Sequence, residues 1–298
     1  MPEKPELTKP KICFTDLDGT LMHSAGIISE PNHAALEELH QRGIYRVLAT
    51  GRSLYSLKNV LPHDAPLDYA IFATGAGILD WHTKELIFSH DLDAEEVRKV
   101  CATLEEFEID YILDNQVQDT HHMQYRAKTG MTDFWRRVDH YKDFAEELDP
   151  NNIDQVMAAT QFLAMVAQDR EDLYHEIYKR LYPLSAVRTT SPIDYCTMWI
   201  EIFAPGVNKG GAVRFMMRKL GASADDIMVI GNDYNDLEML SISPNAYVTG
   251  NAPLDLRRKY QTVPSCDTNG FAEAVRRWLH QQDHEANLKG RPAPPNTP

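Results

Sequence analysis

Short apolar runs and amphipathic stretches alternate along the first 80 residues. Ile12-Cys13-Phe14 has the β-branched and aromatic character of a short buried strand, and runs at 45–49 and 69–73 repeat it. Between the first two, Ala35, Leu36 and Leu39 recur at helical spacing, which predicts a helix over 31–42 stopped by Gly43. Strands alternating with helices predict an α/β fold with a parallel, doubly wound, Rossmann-like sheet. The pattern changes from about residue 81 to 190. That segment is more polar, richer in His, and carries longer helical stretches at 94–107 and 171–182, so it reads as an inserted α+β domain. The first pattern then returns, with a helix over 210–220 ending at Gly221, strands at 227–230 and 246–248, and a helix over 271–279. The expected division is a core of residues 1–82 and 190–285, an inserted domain of 83–189, and a disordered tail of 286–298 containing Pro292, Pro294, Pro295 and Pro298.

Several predicted strands end in polar clusters, at the edge where open α/β sheets place their ligands. The first strand runs into Asp16-Leu17-Asp18-Gly19-Thr20, two carboxylates two residues apart followed by a permissive turn and a hydroxyl. An acidic turn would have the same composition for local hydrogen-bonding reasons. The other clusters favour chemistry. Thr50-Gly51-Arg52 offers a hydroxyl, a flexible backbone and a guanidinium, the plainer alternative being a helix N-cap at Thr50 beside a surface Arg. Lys209, within Pro205-Gly206-Val207-Asn208-Lys209-Gly210-Gly211, supplies a point charge suited to a phosphoryl group. Gly231-Asn232-Asp233-Tyr234-Asn235-Asp236 adds oxygen donors of the kind Mg²⁺ prefers. Together these groups suit metal-assisted phosphoryl transfer.

Charge narrows the partners. Over 298 residues the formal net charge is −14, which argues against nucleic acid or an anionic membrane surface as the main partner. A small phosphorylated metabolite is the expected partner, to a chain acting as a monomer or small homo-oligomer. In so acidic a chain, a bound cation and local Lys or Arg residues must offset the field around an anionic substrate. Cys13, Cys101, Cys196 and Cys266 are scattered without a CxxC pair, which suits a reducing cytoplasm. The first residues lack the apolar stretch of a signal peptide, and no apolar run reaches the length of a membrane span, so a cytoplasmic location is expected.

The order DxDGT, TGR, a Lys before Gly-Gly, and G-x-x-x-ND after a strand resembles the haloacid dehalogenase superfamily of phosphotransferases. Within it the chain most resembles the Cof-like sugar-phosphatase branch, subfamily IIB, whose α/β cap is inserted where residues 83–189 fall here. The resemblance spans Lys11 to Leu279. It implies that Asp16 is a nucleophile forming an aspartyl-phosphate, and that Asp18 is the general acid and then the base. By the same resemblance Thr50, with Gly51 and Arg52 in its motif, Lys209 and Asn235 contact the phosphoryl region. Mg²⁺ would be held by Asp16, by the backbone carbonyl of Asp18 and by the fourth motif. That motif usually reads Gly-Asp-x-x-Asn-Asp. Here Asn232 replaces the first Asp, which leaves Asn232 with Asp236 nearby, or alternatively Asp233, to complete the metal site. A second departure is Thr74-Gly75, where an Asn-Gly pair is common; a small effect is expected.

The cap should close over the site and contact the rest of the substrate. His121, His122, Tyr125 and Arg126 form a polar–aromatic cluster that either lines a pocket or is a solvated edge, and Trp135, Arg136 and Arg137 are equally ambiguous. No third metal ligand is evident beside the His pair. A phosphatase acting on a sugar phosphate or similar metabolite is the leading expectation. A phosphomutase-like phosphotransferase, or a non-catalytic binding protein on the same fold, are the alternatives.

Overall fold

A computed structural model describes residues 9–289 of the chain. Its strands are β1 (Ile12–Thr15), β2 (Tyr45–Ala49), β3 (Tyr69–Phe72), β4 (Gly77–Asp80), β5 (Leu86–Ser89), β6 (Leu92–Asp93), β7 (Asp110–Asp114) and β8 (Met123–Arg126). They continue with β9 (Ala145–Glu147), β10 (Ala158–Ala159), β11 (Gln161–Ala167), β12 (Ser185–Thr190), β13 (Thr197–Phe203), β14 (Ile227–Gly231), β15 (Asn245–Val248) and β16 (Gln261–Thr262). The helices are α1 (Glu30–Gln41), α2 (Leu54–Val60), α3 (Ala94–Glu106), α4 (Thr132–His140), α5 (Glu171–Leu181), α6 (Lys209–Leu220), α7 (Leu237–Leu240), α8 (Leu254–Lys259) and α9 (Gly270–Lys289).

An eight-stranded sheet has the order β16-β15-β14-β1-β2-β3-β4-β5, parallel throughout except for the antiparallel additions of β4 and β5. Alternate residues of its central strands serve opposite faces, so each run is apolar throughout. Cys13, Leu48, Met228 and Ile230 pack in one layer with Leu36 and Leu39 of α1 and Phe271, Val275 and Trp278 of α9. Ile12, Phe14, Val47 and Val229 pack in the other with Val213 and Met216 of α6. This is the doubly wound α/β core expected from the pattern.

The inserted segment builds a six-stranded sheet, β12-β13-β11-β7-β8-β9, antiparallel apart from the β8–β9 pair. Phe134 and Val138 of α4 pack on one face with Ile112, Leu163, Met165 and Trp199. The other face, with Leu113, Phe162, Ala164 and Ile200, shares a layer with Val100 and Leu104 of α3 and Ile177 of α5.

The expected boundaries move. Residues 86–89, assigned to the insertion, form β5 at the edge of the eight-stranded sheet, because β4 and β5 fold back on each other as a hairpin. Residues 197–203, assigned to the core, form β13, which is buried along its length between β11 and β12. The expected junctions at 82/83 and 189/190 therefore both shift toward the C-terminus. Helix α2 went unpredicted; it is seven residues long, and Ser53 caps it by accepting from the Ser56 amide. The last helix runs past the expected end at Leu279 to Lys289, there being no Gly or Pro before Gly290 to stop it. The tail expected at 286–298 thus begins in helix, and its part from 290 lies outside the described residues.

Candidate active site

The polar clusters converge at the carboxyl ends of β1, β2 and β14. The backbone N–H of Asp16 continues the ladder, donating to the Ile230 carbonyl at 3.0 Å, so the first carboxylate is fixed by the sheet itself. Gly19 then turns the chain with φ +75°, and a Cβ there would stand 2.6 Å from the Asn232 side chain. Only glycine tolerates both conditions. Thr20 is buried behind the turn.

Lys209 opens α6, whose N-cap Asn208 accepts from the Gly211 amide at 2.8 Å. From that position its ammonium donates to Asp16 Oδ1 and to Asp236 Oδ1, both at 2.7 Å, with all three side chains buried. One cation between two carboxylates leaves the trio with a net negative charge. Burial pushes the Asp16 carboxyl up to about 7; Lys209 opposes the rise, and Asp236 and Asp18 add to it. Burial alone would lower Lys209, but the two carboxylates outweigh it and hold the ammonium above its ordinary range.

Asp236, expected as a metal ligand, has both oxygens engaged. Oδ1 takes Lys209, and Oδ2 accepts from the amides of Asn232 at 2.7 Å and Asp233 at 3.1 Å. It reaches them because Gly231 has no side chain: a Cβ there would lie 2.4 Å from Asp236 Oδ2. Asp236 is a positioning residue for Lys209 and for its own loop. Asp233, the alternative ligand, faces the cap. Its Oδ2 accepts from Thr189 Oγ1 at 3.2 Å and from the Thr190 amide at 3.3 Å, and its Oδ1 accepts from the Tyr234 amide at 2.8 Å. Burial raises its pKa.

Asn232 remains, and it is aimed at the right atoms. Its Oδ1 accepts from Thr20 Oγ1 at 3.1 Å. Rotating the amide by half a turn places its nitrogen 3.0 Å from Asp16 Oδ2 and 3.0 Å from the Asp18 carbonyl oxygen, as a donor to both. With the oxygen inward instead, three oxygens face one another, an arrangement that a cation stabilises. Adjacent ligands of an octahedral Mg²⁺, with bonds of about 2.0–2.1 Å, lie about 3 Å apart. The donor set of Asp16, the Asp18 carbonyl and Asn232 fits such an ion.

Asp18 differs from Asp16 in being half exposed. Arg52 grips it through two bonds of 2.7 Å, Nε to Oδ2 and Nη2 to Oδ1, while Nη1 donates to Ser56 Oγ at 2.9 Å. Both carboxylate oxygens of Asp18 thus face Arg52. Thr50 is buried, with its hydroxyl accepting from the Arg52 amide at 3.1 Å. A Cβ on Gly51 would stand 3.3 Å from Thr74 Oγ1 and 3.8 Å from Asn235 Nδ2, so the three residues are close neighbours.

Two further residues, Thr74 and Glu201, bond to each other beside Thr50. Thr74 has φ 53° and ψ 18°, a left-handed conformation that a β-branched residue adopts only under constraint. Its amide donates to the Thr50 carbonyl at 3.1 Å and its hydroxyl to Glu201 Oε2 at 2.7 Å. Thr74 thus takes the backbone shape that Asn-Gly adopts readily. Glu201, mid-strand in β13, had no signal at all. Burial pushes it up to about 7, with Thr74, Lys209 and Arg137 opposing and Asp114 adding. Among the cap residues, Asp119 supplies the third group missing beside the His pair: His122 Nδ1 lies 2.8 Å and His121 Nδ1 3.5 Å from its Oδ1. His121 also stacks on Tyr55 of α2, ring centroids 4.6 Å apart. Among the described residues no helix is long and apolar enough to cross a membrane.

The chain is similar to known proteins along most of its length. An HMP-PP phosphatase of Cronobacter sakazakii is 27% identical over 89% of this chain and 94% of its own length. The 5-amino-6-(5-phospho-D-ribitylamino)uracil phosphatase YcsE of Bacillus subtilis is 25% identical over 90% and 96%. The chloroplastic endoribonuclease YBEY of Arabidopsis thaliana is 25% identical over 91% of this chain, which spans only 47% of that relative's length. Among solved structures, a Bacteroides thetaiotaomicron phosphatase of the haloalkanoate superfamily superimposes with a TM-score of 0.73 at 20% identity, covering 91% of this chain and 96% of that one. A subclass IIB sugar phosphatase gives a TM-score of 0.70 at 20% identity, covering 90% and 99%. Residues 13–275 match the haloacid dehalogenase-like hydrolase family, and the chain belongs to it.

Proposed function

We propose that this chain is a Mg²⁺-dependent phosphatase that hydrolyses a small phosphorylated metabolite through an aspartyl-phosphate on Asp16. The observation that carries the reading is the placement of Asp16: Lys209 lies 2.7 Å from one of its oxygens, and the Asn232 amide faces the other at 3.0 Å. The relatives named as phosphatases, whose lengths this chain nearly spans, support it. Asp16, the Asp18 carbonyl and Asn232 would hold the ion, which supplies positive charge beside the transferring group.

The chain's own groups divide the work. Lys209 neutralises Asp16 and fixes its orientation, so a carboxylate can approach a phosphate dianion. An Asp16 oxygen attacks phosphorus, the bond to the leaving oxygen breaks, and Asp18 gives that oxygen a proton. Water then attacks the acyl-phosphate phosphorus, Asp18 takes the proton back, phosphate departs and the Asp16 carboxylate is restored. For Asp18 to serve, Arg52 must release it, and an incoming phosphoryl group is a stronger guanidinium partner than a half-exposed carboxylate. Thr50 and Asn235 would donate to the non-bridging oxygens. Release of free phosphate in the presence of Mg²⁺ tests the reading. Retention of the phosphoryl group on a sugar, dependent on a bisphosphate, would favour the mutase alternative instead.

A further inference from the structure

The face of the cap sheet that carries Glu201 holds more buried polar groups than its own structure satisfies. Asp114 ends β7 and Gln161 begins β11, and the two are paired across the ladder. Gln161 Nε2 donates to Asp114 Oδ2 at 2.6 Å. Asp114 Oδ1 and Gln161 Oε1 accept from no group among the described residues, and both side chains are more than nine-tenths buried. Arg137 of α4 has a buried, unpaired Nε and acts electrostatically on both Asp114 and Glu201. Its guanidinium lies over the Tyr141 and Trp199 rings, 4.9 Å and 5.3 Å from their centroids, which fixes it in place.

Buried polar atoms without partners cost free energy, so three around one charge network call for an explanation. This network is continuous with the catalytic end of the core. Glu201 is bonded to Thr74, and its Oε1 stands 3.9 Å from where a Cβ of Gly51 would be. The neighbouring strand β12 touches the fourth-motif loop through Thr189 and Thr190. The same sheet face therefore looks toward the phosphoryl site.

We propose that Asp114, Gln161 and Arg137 form the subsite for the organic part of the substrate, and that they recognise a leaving group bearing hydrogen-bond donors. The unpaired atoms are two acceptors and one donor, and Glu201 adds further acceptor capacity. An acceptor-rich wall selects hydroxyl or amino groups and disfavours a second phosphate or a carboxylate. Arg137 supplies the single donor, suited to a ring nitrogen, carbonyl or ether oxygen of the same group. The assignment rests on the phosphatase reading for the position of the phosphoryl group.

Three probes test it: a hexose 6-phosphate with hydroxyls only, an aminopyrimidine methyl phosphate, and phenyl phosphate with neither. Asp114→Asn keeps the shape and turns one acceptor into a donor. The expected result is at least a tenfold fall in kcat/KM for the preferred donor-bearing phosphate relative to phenyl phosphate, mostly in KM. Which of the first two falls further identifies hydroxyl or amino recognition. An unchanged ratio between substrates overturns the proposal, because a purely structural defect lowers all three together. Gln161→Met is the second variant, expected to shift the same ratio the same way while its melting temperature stays at or above that of the wild type. A lowered melting temperature with an unshifted ratio would make Gln161 structural and overturn its assignment. If wild type releases phosphate from none of the three, the phosphatase reading fails on its own. The subsite is then judged by the melting-temperature shifts these phosphates give with Mg²⁺, and equal shifts in wild type and Asp114→Asn overturn it.

Discussion

In the core sheet the functional groups sit just past the last strand residue: Asp16 after β1, Thr50 after β2, Asn232 after β14. In the cap sheet they sit within strands, where Asp114, Gln161 and Glu201 replace side chains that would otherwise be apolar. The core arrangement satisfies its polar atoms internally; Lys209, Asp236 and the backbone amides account for one another. The cap arrangement leaves Asp114, Gln161 and Arg137 each with an unpaired atom. A group that performs the same chemistry on every substrate can be fully preorganised. A group that recognises one substrate keeps its bonding capacity for that substrate, at a cost in stability while it waits.

The contrast can be broken at several points. The largest effect belongs to Asp16→Asn, expected to lower phosphate release by about 10⁴-fold or more, as loss of a covalent nucleophile does. Undiminished Mg²⁺-dependent turnover in a phosphate-release assay would remove Asp16 from its role. Lys209→Met should cut kcat by about 10²–10³-fold, the range for a lost charge-stabilising donor. It should also destabilise the fold by about 3–5 kcal/mol at pH 8, because two buried carboxylates then face each other unpaired. Urea unfolding measures the second effect, and wild-type stability there would contradict the trio. Asn232→Asp should tighten Mg²⁺ binding by about tenfold, since added ligand charge raises affinity. Calorimetry in metal titrations reads this, and an unchanged dissociation constant would exclude position 232 from the site.

The pH dependence gives a smaller, signed effect. Glu201 is raised from 4.5 to about 7, so between those values the folded chain holds a proton that the unfolded chain has released. Stability from this group is therefore present below about pH 4.5 and declines as pH rises toward 7. Glu201→Gln should remove that decline, gaining melting temperature relative to wild type at pH 8 compared with pH 4.5; parallel curves would refute it. The smallest change is Arg52→Lys. It loses the two-pronged grip on a half-exposed Asp18, and pairs of that kind contribute about 0–1 kcal/mol, so melting should hardly move. The kcat should respond more than the melting temperature.

The same contrast explains what was legible in the sequence. Asp16, Asp18, Thr50 and Lys209 announce themselves because loop residues after strands break the apolar pattern and carry short-range spacing. The parallel core is equally plain, since its strands and helices alternate with clear periods. Glu201 is hidden because β13 reads as an apolar run on both sides of it, and only the pairing with β11 and the contact with Thr74 reveal its purpose. Asp236 misleads for a related reason. Its spacing from Gly231 suits a metal ligand, yet the absent side chain of Gly231 lets its carboxylate fold back onto the loop amides. The junctions near 82 and 190 were misplaced because sheet membership is a long-range property: β5 and β13 each pair with strands that composition does not distinguish from their neighbours.

The two hydrogen bonds from Thr189 and Thr190 to Asp233 tie an edge strand of the cap to the loop that carries Asn232. Any rocking of that strand away from the core must break both bonds and free the residue next to the one facing Asp16. Under the proposed function, cap position and ion affinity would be linked through that loop. Whatever factor the ion contributes to closure, closure must return to the affinity for the ion.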